Sequence, residues 1–388
     1  MKILVLTTSF PLNKNDLSGK AIFLQAQGLV KKGFDVHVLA PHHRGVPKQE
    51  IMNSVKISRF QYGPEKLEVV SYGAGLGDNL RDSFGAKVMF PFFLIAFLFS
   101  AVIKSRNYDL LHANYSVIPG FIGSICKLLY RKPLIVTVRG GDLEYGSLFF
   151  LINKFVFSIA DYIIGVNSEY IRRAIYFGAK KEKTDVIYSE VAINKNLLEL
   201  PIKEQFQGNL LFISRLVPVK NLLLVLKALK SLRNKGQFKL VVVGDGTERA
   251  QLEQFSQDNS LTDIVTFEGK KGANEIAEFL SKADVFVLPQ KAEGVGVSLL
   301  EAMAAGVPAI SGKVKGIEDV ATHQHTGILV STEDPRELES AILELAKNKS
   351  LRFKIAQNAR NLIKERYLSQ GQLDRVVQVY NKLLKAPN

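Results

Sequence analysis

Two doubly wound α/β domains in tandem are the fold this sequence predicts, and three observations predict it. Short, β-branched apolar runs alternate with segments of helical length, as a parallel sheet covered on both faces requires. That alternation starts afresh about halfway along the chain. The 388 residues exceed what one ordinary core holds, while 47% hydrophobic and 23% charged residues describe a folded globular chain.

The first set of strands is expected at 2–6 (KILVL), 35–39 (DVHVL), 109–112 (DLLH), 134–138 (LIVTV) and 162–166 (YIIGV). The opening run from Ile3 to Leu6 is too short for a signal peptide, and no small-residue cleavage site follows it. The second set falls at 209–213, 239–243, 264–267, 284–288, 307–310 and 327–330. Between the sets, 194–209 carries Pro201, polar residues and Gly208, the composition of a linker. This gives domains 1–195 and 196–368. Residues 369–388 form a closing helix: Leu373, Val376, Val377, Tyr380, Leu383 and Leu384 recur at helical spacing. That apolar stripe is expected to pack back on the N-terminal domain. Ligands of open α/β sheets bind beyond the carboxyl ends of the strands, so two such domains imply a cleft between them.

The net charge of +14 is uneven. Residues 1–200 carry 25 Lys and Arg against 16 Asp and Glu, or +9, and residues 201–388 carry 26 against 21, or +5. With no zinc-finger spacing and no RNP-like aromatic signature, nucleic acid is not the expected partner. A phosphorylated substrate or an anionic membrane face remains. Cys126 is the one cysteine, which excludes an intrachain disulfide and suits a reducing cytoplasm. The apolar stretch 88–103 (VMFPFFLIAFLFSAVI) is interrupted by Pro91 and falls short of the roughly 20 residues that span a bilayer. It reads as a core helix or, with Lys87, Lys104 and Arg106 flanking it, as a helix lying in the membrane interface.

Three segments of the second half carry chemistry. In SRLVPVKN (214–221), Arg215 and Lys220 sit in a strand-to-helix connection. Arginine offers a fork for phosphate oxygens, lysine a point charge, and the helix start adds free amides. Two solvated surface cations would look the same. In VVVGDGTE (241–248), Gly244 and Gly246 around Asp245 allow close backbone approach, though tight-turn glycines explain them equally well. In KAEGVGVSLLEAMAAGVPAI (291–310), Glu293 lies in a glycine-rich loop and Glu301 in the helix that follows. Gly294, Val295, Gly296, Val297 and Ser298 would supply backbone amides at the helix start, a cradle for a diphosphate. Carboxylates accept paired hydrogen bonds from vicinal diols, which suits Glu293 to a sugar and Glu301 to a ribose. A capping acid and an exposed helical acid are the alternative.

EGVGVSLLEAMAAGVPAI resembles the E-x7-E segment of the retaining glycosyltransferases of the GT-B fold, family four, also called glycosyl transferases group 1. SRLVPVKN resembles that family's Arg…Lys pair, VGDGTE its Gly-Asp-Gly turn, and SKADVFVLP the strand before the first glutamate. SFPLNKNDLSGKAIFLQAQGLVKKGFDVHVLAP resembles its N-terminal signature, with Gly19 in a loop facing the donor.

The resemblance implies roles. Arg215 and Lys220 would hold the donor diphosphate and neutralise the leaving group. Glu293 would contact the donor sugar and Glu301 the ribose. The loop EGKK, with Lys271, would lie beside the nucleobase. The implied fold is GT-B: two Rossmann-like domains facing across a cleft, a nucleotide-sugar donor on the second, and a glycan or lipid-linked acceptor on the first. The implied reaction is retaining transfer in cell-envelope polysaccharide or glycolipid synthesis. The basic first half and the aromatic-rich segments 88–99 and 148–157 fit a lipid-linked or anionic glycan acceptor, with the protein in the cytoplasm or peripheral on the inner membrane face. A nucleotide-sugar epimerase of the same fold and a non-catalytic membrane-associated scaffold are the alternatives.

Three departures stand out. Val295 replaces the usual Phe, Ser18-Gly19 replaces a double glycine, and Arg139 stands where the family often has histidine. Arginine cannot accept a proton near neutral pH, so Arg139 would stabilise anionic charge. His112 is then the best remaining histidine for the cleft, or else a hydrogen-bonded structural one. His42-His43 and His323-x-His325 lack further ligands for a metal nearby. With no Asp-x-Asp, no metal or other cofactor is expected.

Overall fold

A computed structural model describes residues 1–13, 16, 18–73, 75–140, 143, 147–189, 193–291, 296–367 and 371–385. The chain divides into two compact units: Met1–Val191 with Gln370–Asn388, and Ala192–Ser369.

The strands of the first unit are β1 (Lys2–Leu6), β2 (Asp35–Pro41), β3 (Gln49–Met52), β4 (Val55–Phe60), β5 (Leu110–Asn114), β6 (Leu134–Val138), β7 (Tyr162–Gly165) and β8 (Thr184–Val186). They form one sheet in the order β3-β4-β2-β1-β5-β6-β7-β8, parallel except for β3 against β4. Its helices are α1 (Lys20–Lys31), α2 (Leu76–Asp82), α3 (Phe84–Ser105), α4 (Phe121–Tyr130), α5 (Ser147–Ile159) and α6 (Ser168–Tyr176). Alternation along each strand feeds two separate cores. On β1, Leu4 and Leu6 join α3, α4 and α5 on one face, while Ile3 and Val5 join α1 on the other.

The second unit follows the same logic with β9 (Asn209–Ile213), α7 (Leu222–Leu232), β10 (Lys239–Val243), α8 (Arg249–Asp258), β11 (Val265–Gly269), α9 (Ala273–Lys282), β12 (Val285–Leu288), α10 (Val297–Ala304), β13 (Ala309–Gly312) and β14 (Ile328–Val330). Helices α11 (Pro335–Lys347) and α12 (Lys349–Arg366) close it. The strand order β11-β10-β9-β12-β13-β14, parallel throughout, reverses between β9 and β12, the kind of point at which open α/β sheets bind ligands.

The last helix, α13 (Gly371–Lys385), returns to the first unit. Tyr380 is fully buried there, Lys32 pairs with Asp374 at 2.7 Å, and Arg375 pairs with Asp185 at 2.7 Å. The division between the units, at 191/192, falls just before the 194–209 segment of linker composition.

Three strands lie outside the sequence reading: β3, β4 and β8. Asn53 and Ser54, at φ 46° and 68°, make the two-residue turn that folds β3 onto β4. Such turns demand positive φ at both central residues, which asparagine tolerates and serine rarely signals.

Candidate functional site

The connection after β9 presents Arg215 and Lys220. Arg215 is exposed, and Lys220 is half-buried with Nζ donating to Gln290 Oε1 at 2.9 Å. Among the described residues no acid pairs with either cation. Burial first, and the Arg215 charge second, hold the Lys220 ammonium below its usual range. A partly desolvated ammonium thus feels the charge of an exposed guanidinium, an arrangement that an anion would relieve.

Gln290 ties this connection to the end of β12. The Lys291 amide donates to Val219 O at 2.8 Å, beside Lys220. The Gln290 Oε1 that accepts from Lys220 also lies 3.8 Å from where a Cβ on Gly296 would stand. Gly296 is the N-cap residue of α10 and no side chain caps that helix. Lys220 therefore sits at the amino end of α10, where the helix dipole and the amides of Val297 and Ser298 also favour negative charge.

Glu301 lies one turn into α10. Burial alone pushes its carboxyl up to about 7. A carboxyl held there, with no cation partner among the described residues, can accept from hydroxyl donors once ionised.

The glycines of the β10 turn have a structural reason. A Cβ on Gly244, at φ 136°, would come within 1.8 Å of Ser214 O, and one on Gly246 within 2.3 Å of Leu216 O. Leu216 N donates to Asp245 O at 3.0 Å, and Glu248 N to Leu216 O at 3.0 Å. The close approach is thus by the backbone carrying Arg215, so these glycines shape the cation loop. Asp245 Oδ1 accepts from the Gly246 amide at 2.8 Å, and its other oxygen lies 3.6 Å from Arg249. Lys271, at the end of β11, sits between Glu268 (3.2 Å) and Glu275 (3.7 Å), and the Glu268 contact raises its pKa most. Its charge is already offset.

Glu293, Gly294 and Val295 lie outside the described residues. In the first unit, Gly19 caps α1 at φ 61° with its Cα against Ser9 and Phe10, where a Cβ would meet Ser9 O at 2.3 Å.

His112 requires a correction. It is fully buried, with Nδ1 2.6 Å from Tyr380 Oη and Nε2 2.7 Å from Thr137 Oγ1. Burial, aided by the Arg139 charge, pushes its pKa down to about 3. Both ring nitrogens are occupied and the ring stays neutral, so it fastens α13 to the sheet and cannot meet a substrate. Arg139, after β6, donates to Asn114 Oδ1 (2.7 Å), Ser189 Oγ (2.8 Å) and Gln25 Oε1 (3.4 Å). His42 bonds Glu68 and Val46 O, while His323 and His325 serve local backbone and side-chain bonds.

The sequence reading missed Gln290, Asn221 and Gly312. Asn221, at φ 61°, is buried and donates to Pro289 O (3.0 Å) and Thr332 O (2.9 Å). A Cβ on Gly312 would strike Gln290 O at 2.3 Å. An asparagine directly before an apolar helical run was the one available signal, as a candidate helix cap.

Two Rossmann-like units, the second with a cation pair that no acid offsets among the described residues at its strand-order reversal, have the architecture of the GT-B glycosyltransferases. The family models agree: glycosyltransferase family 4 matches residues 19–194, and glycosyl transferases group 1 matches residues 202–362. An uncharacterized glycosyltransferase of Methanocaldococcus jannaschii is 30% identical over 270 residues, covering 68% of this chain and 73% of that protein. The capsular polysaccharide biosynthesis glycosyltransferase CapM of Staphylococcus aureus is 27% identical over 285 residues, covering 69% and 75%. The crystal structure of HepE from Anabaena in complex with UDP superimposes with a TM-score of 0.75 at 18% identity, covering 98% of this chain and all of that one. The chain belongs to the family 4 glycosyltransferases.

Proposed function

We propose that the protein transfers a glycosyl group from a nucleoside-diphosphate sugar to an acceptor hydroxyl, with retention of anomeric configuration. Arg215 and Lys220 hold the diphosphate, the amino end of α10 adds amides, Glu293 grips the sugar, and Glu301 accepts from the ribose diol. As the bond from the anomeric carbon to phosphate breaks, the acceptor oxygen bonds to the same face of that carbon. Its proton passes to the departing phosphate, whose charge stays pinned by the two cations. Pinning charge that develops on a leaving group is the largest single contribution in many such sites. The same two cations do the neutralising that a metal would otherwise do, so we propose a metal-independent reaction.

The observation that carries this reading is Lys220: bonded to a neutral amide, its ammonium depressed by burial and then by Arg215, and set at a helix start that no side chain caps. The UDP in the HepE complex and the role in CapM's name favour a UDP-sugar donor and an envelope glycan acceptor. The acceptor is assigned to the first unit, in the cytoplasm. The test is a panel of UDP-, GDP- and ADP-sugars scored by protection against thermal unfolding, since a ligand that prefers the native state raises its melting point. The stabilising donor is then incubated with candidate acceptors and the product anomer read by NMR. An α-linked product from an α-linked donor supports the reading. A new sugar nucleotide formed without acceptor would make the protein an epimerase and overturn it, as would failure of every donor to bind.

A further inference from the structure

Helix α3 is apolar all the way round. Its inner face, with Ala86, Met89, Phe93, Phe97 and Ala101, is buried in the first unit's core, and Phe97 stacks on Phe60 of β4 with ring centroids 4.5 Å apart. Its outer face bears Phe84, Val88, Phe92, Ile95, Phe99 and Ile103, each between 49% and 81% exposed. These recur every three or four residues and so form a single stripe. A helix with two apolar faces buries one in protein and seeks a second apolar medium for the other.

The neighbours extend this face. Helix α4 packs beside α3 and α5 beside α4. Leu128 and Leu129 are each 58% exposed on α4, and Leu151 is 62% exposed on α5. An exposed apolar surface of this extent marks an interaction site. Its charge indicates the partner. No acid occurs in 83–108, 116–132 or 147–160, whereas Lys87, Lys104, Arg106, Arg131 and Lys132 fall within those stretches. Among the described residues, Arg106, Arg131 and Lys132 have no acid partner.

We propose that the outer face of α3, continued by α4 and α5, docks on an anionic phospholipid bilayer. The helix is 22 residues long, enough to cross a bilayer, but its inner face covers the sheet and cannot leave it. It therefore lies in the headgroup layer, with the aromatic and aliphatic stripe dipping into the acyl boundary and the cations at the phosphates. A second copy of the chain is a poor occupant, because it would set two faces of net positive charge against each other.

The test is co-sedimentation of the full chain with vesicles of phosphatidylcholine, with and without phosphatidylglycerol. The wild type is expected on the mixed vesicles, with partitioning that weakens as salt is raised. The double variant I95E/F99E is expected to lose at least about tenfold in partitioning, and R131E/K132E to lose the preference for phosphatidylglycerol. All four positions are outward-facing, so melting temperatures should match the wild type. Should the glutamates disturb folding, I95S/F99S repeats the test with milder changes. Protection by UDP reads the donor site in the second unit and is expected to be unchanged, so failure of docking and failure of the proposed transfer are told apart. The proposal falls if the wild type ignores both vesicle types, if I95E/F99E binds as well as wild type, or if the wild type is a dimer that I95E/F99E dissociates without any vesicle binding.

Discussion

The polar clusters at the strand ends of the two units differ in how their hydrogen bonds and charges are met. In the first, His112 spends both ring nitrogens on Tyr380 and Thr137, and Arg139 spreads its guanidinium over Asn114, Ser189 and Gln25. In the second, Arg215 and Lys220 approach each other with a neutral amide, Gln290, as Lys220's partner. Saturation of the kind seen at His112 stabilises a fold, because each buried polar group has its partner. Two cations left to repel each other lower stability, and such an arrangement makes sense where a ligand completes it. The contrast assigns His112 to holding the structure together and Lys220 to the substrate.

The sharpest way to break the contrast is Lys220→Ala. Loss of the charge that meets the leaving phosphate should lower kcat by about a hundred- to a thousandfold, the range for removing one preorganised donor. The melting temperature should change little, since the repulsion removed offsets the lost bond to the buried Gln290 amide. A near-wild-type rate would return Lys220 to the surface cations. His112→Ala should do the reverse. It strands the Tyr380 hydroxyl and leaves a cavity, costing about 2–4 kcal/mol by urea unfolding, while kcat of the folded fraction stays near wild type. A stable but inactive His112→Ala would restore the catalytic role.

Much of this contrast was legible in the sequence, and the illegible part has a common cause. The alternating runs placed β1, β2, β5 and β6, because a strand buried on both faces needs unbroken apolar sequence. Arg215, Lys220 and Glu301 stand out in the sequence because their chemistry is local to a strand-to-helix junction. The sequence leaves His112 open between a cleft and a structural role because its decisive partner, Tyr380, lies 268 residues away. Gln290 went unnoticed because a lone glutamine in a loop carries no spacing signal; its meaning comes from Lys220 crossing 70 residues of chain to reach it. For Gly244 and Gly246 the sequence leaves ligand approach and turn geometry equally open, and the neighbouring loop takes the space.

A smaller effect sharpens the second unit. Glu301, raised to about 7 in the folded chain from an ordinary 4.5, binds its proton more tightly when folded than when unfolded. Stability should therefore be highest below pH 4.5 as far as this group is concerned, fall as pH rises from 4.5 to 7, and level off above. In Glu301→Gln that slope should vanish. Saturating UDP should flatten it in the wild type as well, because ribose hydroxyls bonded to the ionised carboxylate lower its pKa. An unchanged slope in Glu301→Gln would deny the burial of this carboxyl its proposed consequence.

The most direct test of the central claim follows the Lys220 side chain itself, by NMR titration of its ε-carbon with and without UDP. Free, its pKa should lie below the ordinary lysine value, because burial and Arg215 both disfavour the ammonium. With diphosphate seated between the two cations it should move up, and UDP affinity should weaken as pH rises past the free value. A Lys220 pKa that UDP leaves unmoved, with affinity flat across that range, would contradict the account.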